Sequence, residues 1–171
     1  VVTPQNNATV VKYMNNPYDA IVRGVEVDFQ HSFWYLPRAL SNMVFGVNYA
    51  RMYSEAEYPF YKTIPDYSTR PPTAVLVDSS FTGRLLDQPN HVLNSYLGYD
   101  YKGFSARVSV LFQANSFTSN GTAEFPEDDS WSRDYLLLDF SARQKLPFLN
   151  SELFMDVSNL NDAQTRSEQR S

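Results

Sequence analysis

The chain has 171 residues, with 14 Lys+Arg against 19 Asp+Glu for a formal net charge of −5, ten prolines, six glycines and no cysteine. The acidic balance argues against a nucleic-acid surface, which needs a basic stripe, and the missing cysteine removes disulfide scaffolds, thiolate zinc sites and cysteine nucleophiles. Apolar residues reach 43% and aromatics 15%, mostly Tyr and Phe, yet no uninterrupted run approaches the ~20 residues of a transmembrane helix.

Length alone suggests one ordinary domain. The first residues, Val-Val-Thr-Pro-Gln-Asn-Asn, carry neither a charged n-region nor an apolar h-region. The expectation is that a signal was removed or that the chain begins partway through something larger. Beyond a short partial strand at 9–14, nearly every segment that is not a turn alternates with a period of two, the sign of a strand with two different faces. Over 20–34, Val25, Val27, Phe29 and Phe33 alternate with Glu26, Asp28, Gln30 and Ser32, with His31 among the apolar set. Over 42–55, Met43, Phe45, Val47 and Tyr49 oppose Gly46, Asn48 and Ala50. Residues 56–88 are long, Pro-rich and polar, and are expected to be a loop.

Over 90–102, Leu93, Leu97, Tyr99 and Tyr101 oppose Asn90, Asn94, Gly98 and Asp100, although Val92 and Tyr96 blur the polar side. Lys102-Gly103 is a two-residue hairpin turn, glycine supplying the positive φ. Over 103–116, Phe104, Ala106, Val108, Val110, Phe112 and Ala114 oppose Ser105, Arg107, Ser109, Gln113 and Asn115, broken only by Leu111. A second long loop, 118–132, carries the acidic run Glu127-Asp-Asp-Ser130, which reads as a solvated tip without EF-hand spacing. Strands over 133–146 and 151–159 complete the series, with Leu136, Leu138, Phe140 and Ala142 opposing Asp139, Ser141, Arg143 and Lys145. All ten prolines are expected in turns or at strand starts, because proline cannot donate to a ladder. The fold expected is all-β, an antiparallel meander.

Short links alternate with long loops, so one rim carries little and the other carries the function. The periodic stretches run about 10–15 residues, against ~5–6 for an average soluble strand and ~9–11 for a tilted membrane-spanning one. Aromatics gather at the short-turn ends, Phe33, Trp34, Tyr35, Tyr99, Tyr101, Phe104 and Phe148, where an interfacial girdle belongs. The opposite faces hold Glu26, Asp28, Arg107, Asp139 and Arg143. A soluble or cell-surface β-sandwich for adhesion or carbohydrate binding shows the same alternation. Strand length, loop asymmetry and aromatic placement favour a membrane barrel over it.

Three stretches carry a family likeness. Gly24-Val-Glu-Val-Asp28 followed by Tyr35-Leu-Pro and Val47-Asn-Tyr-Ala50 resembles a recurring strand–turn–strand in the barrels of TonB-dependent outer-membrane receptors. Asn94-Ser-Tyr-Leu-Gly-Tyr-Asp-Tyr-Lys-Gly-Phe104 resembles a hairpin of the same family. Asp156-Val-Ser-Asn-Leu-Asn-Asp162 is similar to its late "v-x-N-L-x-D" strand end. The resemblance implies a late segment of a barrel of about 22 strands around a plug. It also implies a Gram-negative outer membrane and import of a scarce large solute, of the siderophore, cobalamin, haem or glycan class, driven by the TonB complex. The plug domain and the family's terminal strand are not among these residues. Partners expected are the rest of the barrel and its plug, the TonB complex, outer-membrane lipid and lipopolysaccharide, and a surface lipoprotein or the substrate. A passive porin-type barrel is the other membrane reading.

Site residues follow. Tyr58, Phe60, Tyr61, Tyr67, Arg70 and Arg84, together with Phe81, suit ligand capture by stacking and charge, or else a loop folded on its own aromatics that extends a hairpin with Ala74-Val-Leu-Val77 as its strand. Glu26, Asp28, Arg107, Asp139 and Arg143 face a lumen, with charge pairing to a plug favoured over substrate contact. His31 and His91 each stand alone on a strand, without the converging companions a metal needs. No nucleophile elbow, phosphate-binding glycine loop or paired-carboxylate site is present, so neither enzyme activity nor a cofactor is expected.

Overall fold

The computed structural model describes residues 15–119, 129–148 and 150–169. The partial strand expected at 9–14 lies outside them, as do Glu127 and Asp128 of the acidic run. The chain is all-β and antiparallel. One sheet runs in the order β1 (Ala20–Ser32), β2 (Met43–Asp66), β4 (His91–Tyr101), β5 (Phe104–Gln113), β8 (Tyr135–Leu146) and β9 (Ser151–Val157), and β3 (Thr73–Gly83) joins β2 beyond β4. Sequential neighbours pair, as in a meander, and β1 and β9 are open edges among the described residues.

The short links lie at one end: a connection containing a 3-10 turn at Arg38–Asn42, the Lys102-Gly103 hairpin, and residues 147–150. Lys102 and Gly103 take φ of 43° and 82°, the left-handed pair that a two-residue hairpin requires.

At the other end, residues 56–88 take the hairpin alternative, with Ala74–Val77 inside a strand. β2 does not stop near residue 55 but continues to Asp66, paired with β3 from Ala56–Gly83 to Asp66–Thr73. Residues 56–88 are therefore mostly a ribbon standing on the sheet. Ala56 pairs with Ala20 on one side and Gly83 on the other, so β3 and β4 follow one another along the same edge of β2. Pro59 and Pro65 lie inside β2, against the rule expected for all prolines. Both sit past the end of β1, where a two-stranded ribbon has a free edge and a missing N–H costs no ladder bond. The 118–132 stretch likewise holds strand: β6 (Phe117–Ser119) and β7 (Ser130–Ser132) form a small sheet with β10 (Ser167–Gln169).

The sheet is a single layer. Among the described residues the only side chains beyond glycine that are buried are Ser54, Ala56, Ser116 and Phe117, all at the long-loop end. No second layer covers either side of the main sheet among those residues, so no core of the sandwich kind forms there.

Candidate functional site: two faces and a ribbon

Cross-strand register assigns each side chain to a face. Rows on one face read Val27–Tyr49–Leu93–Phe112–Leu136, then Phe29–Val47–Ser95–Val110–Leu138, then His31–Phe45–Leu97–Val108–Phe140–Val157. Ser95 is the polar interruption, and its hydroxyl donates to the Gly46 carbonyl at 3.1 Å. From Leu93 to Tyr101 this face stays free of charge over eight residue steps, ~26 Å along the strand.

The other face gathers the expected lumen set. Glu26, Asp28, Arg107, Asp139 and Arg143 all project to it by register. Asn48 Nδ2 donates to Glu26 Oε1 at 2.7 Å. Arg107 makes a bidentate pair with Asp100, at 2.9 and 2.7 Å, and Ser105 Oγ donates to the same carboxylate at 2.7 Å. Gly98 makes room for it: a Cβ there would lie 2.5 Å from Arg107 Cδ. Arg143 is looser, 3.8 Å from Glu152. Asp139 accepts the Asn159 N–H at 2.8 Å and so holds a turn as well as facing the polar side. Tyr96, out of pattern by alternation, lies over Gly46, where a Cβ would come within 2.2 Å of its ring. Leu111 pairs with Leu137 beside it, and with Asp28, Gln30, Asn48, Asn94 and Ser109 these line a shallow pocket of about 350 Å³.

The resemblance motifs have local causes. A Cβ on Gly24 would meet the Arg51 carbonyl at 2.8 Å, so only glycine fits that strand crossing. In the late motif, Asn159 and Asp162 take φ of 58° and 50°, and β9 leaves the ladder there. Asn159 Oδ1 accepts the Ala163 N–H at 2.6 Å and closes the turn.

The seven girdle aromatics lie at the short-turn end. Phe33 packs near Tyr35 at 6.4 Å between centroids, Trp34 meets Tyr35 edge-on at 5.8 Å, and Tyr99 touches both Tyr101 and Phe104. Trp34 and Phe148 are 77% and 78% exposed, which suits rings that meet something outside the chain. His31 joins this cluster, 5.0 Å from Phe33 and bonded to the Tyr35 hydroxyl at 3.2 Å. His91 is bonded instead to the Tyr49 hydroxyl at 2.7 Å, on the far side of the sheet's height.

The ribbon residues split into two groups. At its base, Tyr58 stacks on Phe81 at 5.4 Å with Phe60 beside it, and the Tyr58 hydroxyl donates to the Arg84 carbonyl at 2.9 Å. Arg84 lies over Trp131 at 5.4 Å and bonds Asn90, so it fastens the small sheet to the main one. Tyr61, Tyr67 and Arg70 are exposed further out. At the tip, the hydroxyl and amide of Ser68 hold the Asp66 carboxyl below its ordinary range. Arg84 thus belongs to the scaffold of the ribbon, whereas Tyr61, Tyr67 and Arg70 are presented to solvent.

Polarity exchanges sides along β2. Up to Tyr49 the apolar side holds Phe45, Val47 and Tyr49, but from there on the same side reads Arg51, Tyr53 and Glu55, then Glu57, Pro59 and Tyr61 opposite Thr82, Ser80 and Asp78. The polar side does largely the reverse, passing from Asn48 to Tyr58, Phe60 and Ile64, interrupted by Lys62, opposite Phe81, Ser79, Val75 and Val77. The alternation does not slip; its sense inverts. Period-two reasoning missed this because it reads each segment separately.

No protein-family model, curated protein or solved structure matches the chain.

Proposed function

We propose that this chain is a stretch of wall from a TonB-dependent transporter of the Gram-negative outer membrane, importing a scarce large solute of the siderophore, cobalamin, haem or glycan class. The observation that carries the reading is the exchange of polarity along β2, which begins at Arg51 and continues into the ribbon above Ala56, in a sheet of one layer. Within a membrane the outside of a barrel must be apolar and the inside wet; above it, the outside is wet and the inside packs over the mouth. A sandwich in water has no reason to exchange its faces partway up one strand, and would need a second layer over the apolar rows. In this reading the polar face meets the plug, the aromatic end lies at the periplasmic interface, and the ribbon stands in the extracellular medium. The chain carries no catalysis. Against a passive porin, the support is the ordered set of three resemblance motifs from Gly24 to Asp162.

The test is energised uptake by the intact receptor. Cells expressing it should accumulate one of a panel of ferric siderophores, cobalamin, haem or oligosaccharides only while the TonB complex is present and the proton gradient stands. Uptake indifferent to both would replace this reading with the porin one. This stretch has no cysteine of its own, so single substitutions in a receptor cleared of any other cysteine report its topology. A fluorophore on Leu97→Cys should be quenched by brominated acyl chains, and one on Ser109→Cys should not.

A further inference from the structure

Arg51 stands opposite Val25 on β1 and opposite His91 on β4, on the apolar side of the sheet. Arg23 stands opposite Tyr53 on the same side, one pair further up. The two guanidiniums therefore project diagonally from adjacent strands, a separation of ~7–8 Å at the backbone that their long side chains easily close. Both residues are exposed, and neither makes an ion pair among the described residues. Glu55, one further pair up opposite Ile21, accepts the Tyr53 hydroxyl at 3.3 Å. The row beneath the arginines is Val27–Tyr49–Leu93, and nothing on this face is charged from there down to Tyr101.

Two like charges at the edge of an apolar band repel unless an anion lies between them. Arginine stems at such a place can lie along the apolar surface while the heads reach the polar boundary. Planar guanidinium forks match phosphate oxygens two at a time. Arg51 is the first charged residue above the apolar rows on this side and Arg23 lies in the next row up, so the cations sit at headgroup height. We propose that Arg23 and Arg51 bind the phosphate of a phosphorylated acyl glycolipid of the outer leaflet, with Tyr49 and Tyr53 flanking the headgroup. This rests on the membrane-wall reading above.

The experiment uses the intact receptor in detergent and measures retention of bisphosphorylated lipid A by native mass spectrometry, with the dephosphorylated lipid and inorganic phosphate as separate arms. Wild type should retain the phosphorylated lipid and not the dephosphorylated one. Arg23→Ala/Arg51→Ala should weaken retention roughly tenfold or more, from the usual attraction of two basic residues to an anionic membrane surface. Arg23→Lys/Arg51→Lys should keep most of it, and Lys62→Ala on the ribbon all of it. Equal retention by the alanine pair, an equal fall in Lys62→Ala, or equal binding of the dephosphorylated lipid overturns the proposal. Displacement of the lipid by millimolar inorganic phosphate would reassign the pair to free anions and overturn it too. Quenching of the Leu97→Cys fluorophore, measured in the same arginine variants, separates the failures. If quenching persists while lipid retention is unchanged, this proposal alone falls; if labelled Leu97→Cys with both arginines intact is not quenched, the wall reading falls with it.

Discussion

The side-chain amide of Asn161 pairs with β8 at Leu138 as a peptide group would. Its Oδ1 accepts the Leu138 N–H at 2.9 Å and its Nδ2 donates to the Leu136 carbonyl at 2.7 Å. Leu160 N–H bonds the Leu138 carbonyl at 2.8 Å, and Arg133 N–H bonds the Arg166 carbonyl further along. The edge of β8 therefore stays occupied where β9 ends, until β10 pairs with β7. That substitution of side chain for strand lets the chain turn at Asn159, and on the proposed membrane reading it also spares backbone groups that no water would satisfy.

Asn161→Ala should lower stability by about 1–3 kcal/mol, because it orphans one N–H and one carbonyl at once. The urea midpoint of the intact protein in vesicles checks this. A midpoint equal to wild type would mean the edge is satisfied by something else.

Charge placement should be tolerated on one face only. Val108→Arg falls in the middle of the apolar rows and, on the proposed membrane reading, should cost about 2–4 kcal/mol of insertion stability, the usual penalty at a bilayer midplane. Ser109→Arg, its neighbour on the opposite face, should cost under 1 kcal/mol. Folding yield into vesicles reads the contrast, and equal losses would remove the assignment of faces.

Gly98 and Arg107 are coupled by space. Gly98→Leu should push the guanidinium off Asp100 and cancel the benefit of the pair. That benefit is small: the two side chains are 31% and 45% exposed, so a double-mutant cycle on Arg107→Ala and Asp100→Ala should give about 0.2–1 kcal/mol. A coupling of zero in the wild-type background, or an unchanged coupling in Gly98→Leu, contradicts this account.

Lys102 holds a left-handed φ that suits asparagine better. Its ammonium lies 5.1 Å from the Tyr101 ring, an exposed cation–π contact worth ~0.5–1 kcal/mol. The backbone penalty for a non-glycine residue there, ~1–2 kcal/mol, is larger. Lys102→Asn should therefore stabilise by about 0.5 kcal/mol and Gly103→Val destabilise by more than 1 kcal/mol, both read from unfolding midpoints.

What could be read from residue order was whatever alternation governs. Phe104 to Gln113 and Tyr135 to Leu146 are strands with the faces their spacing implies, and Glu26, Asp28, Arg107, Asp139 and Arg143 do share a side. What could not be read was whatever depends on a distant neighbour. Tyr96 breaks the pattern until Gly46 on β2 is seen beneath it. Pro59 and Pro65 look like loop residues until the end of β1 at Ala20 frees one edge of β2. Arg84 looks available to a ligand until Trp131, 47 positions later, is found under it.

β2 runs unbroken through 24 residues, but its bonds are divided in two at Ala56. Everything that ties it to β1 and β4 lies at or below that residue, and everything that ties it to β3 lies at or above. Clipping or exchanging the ribbon would therefore leave the ladder of the sheet whole. What the surroundings meet can be rewritten, lengthened or lost while what the sheet holds together remains as it was.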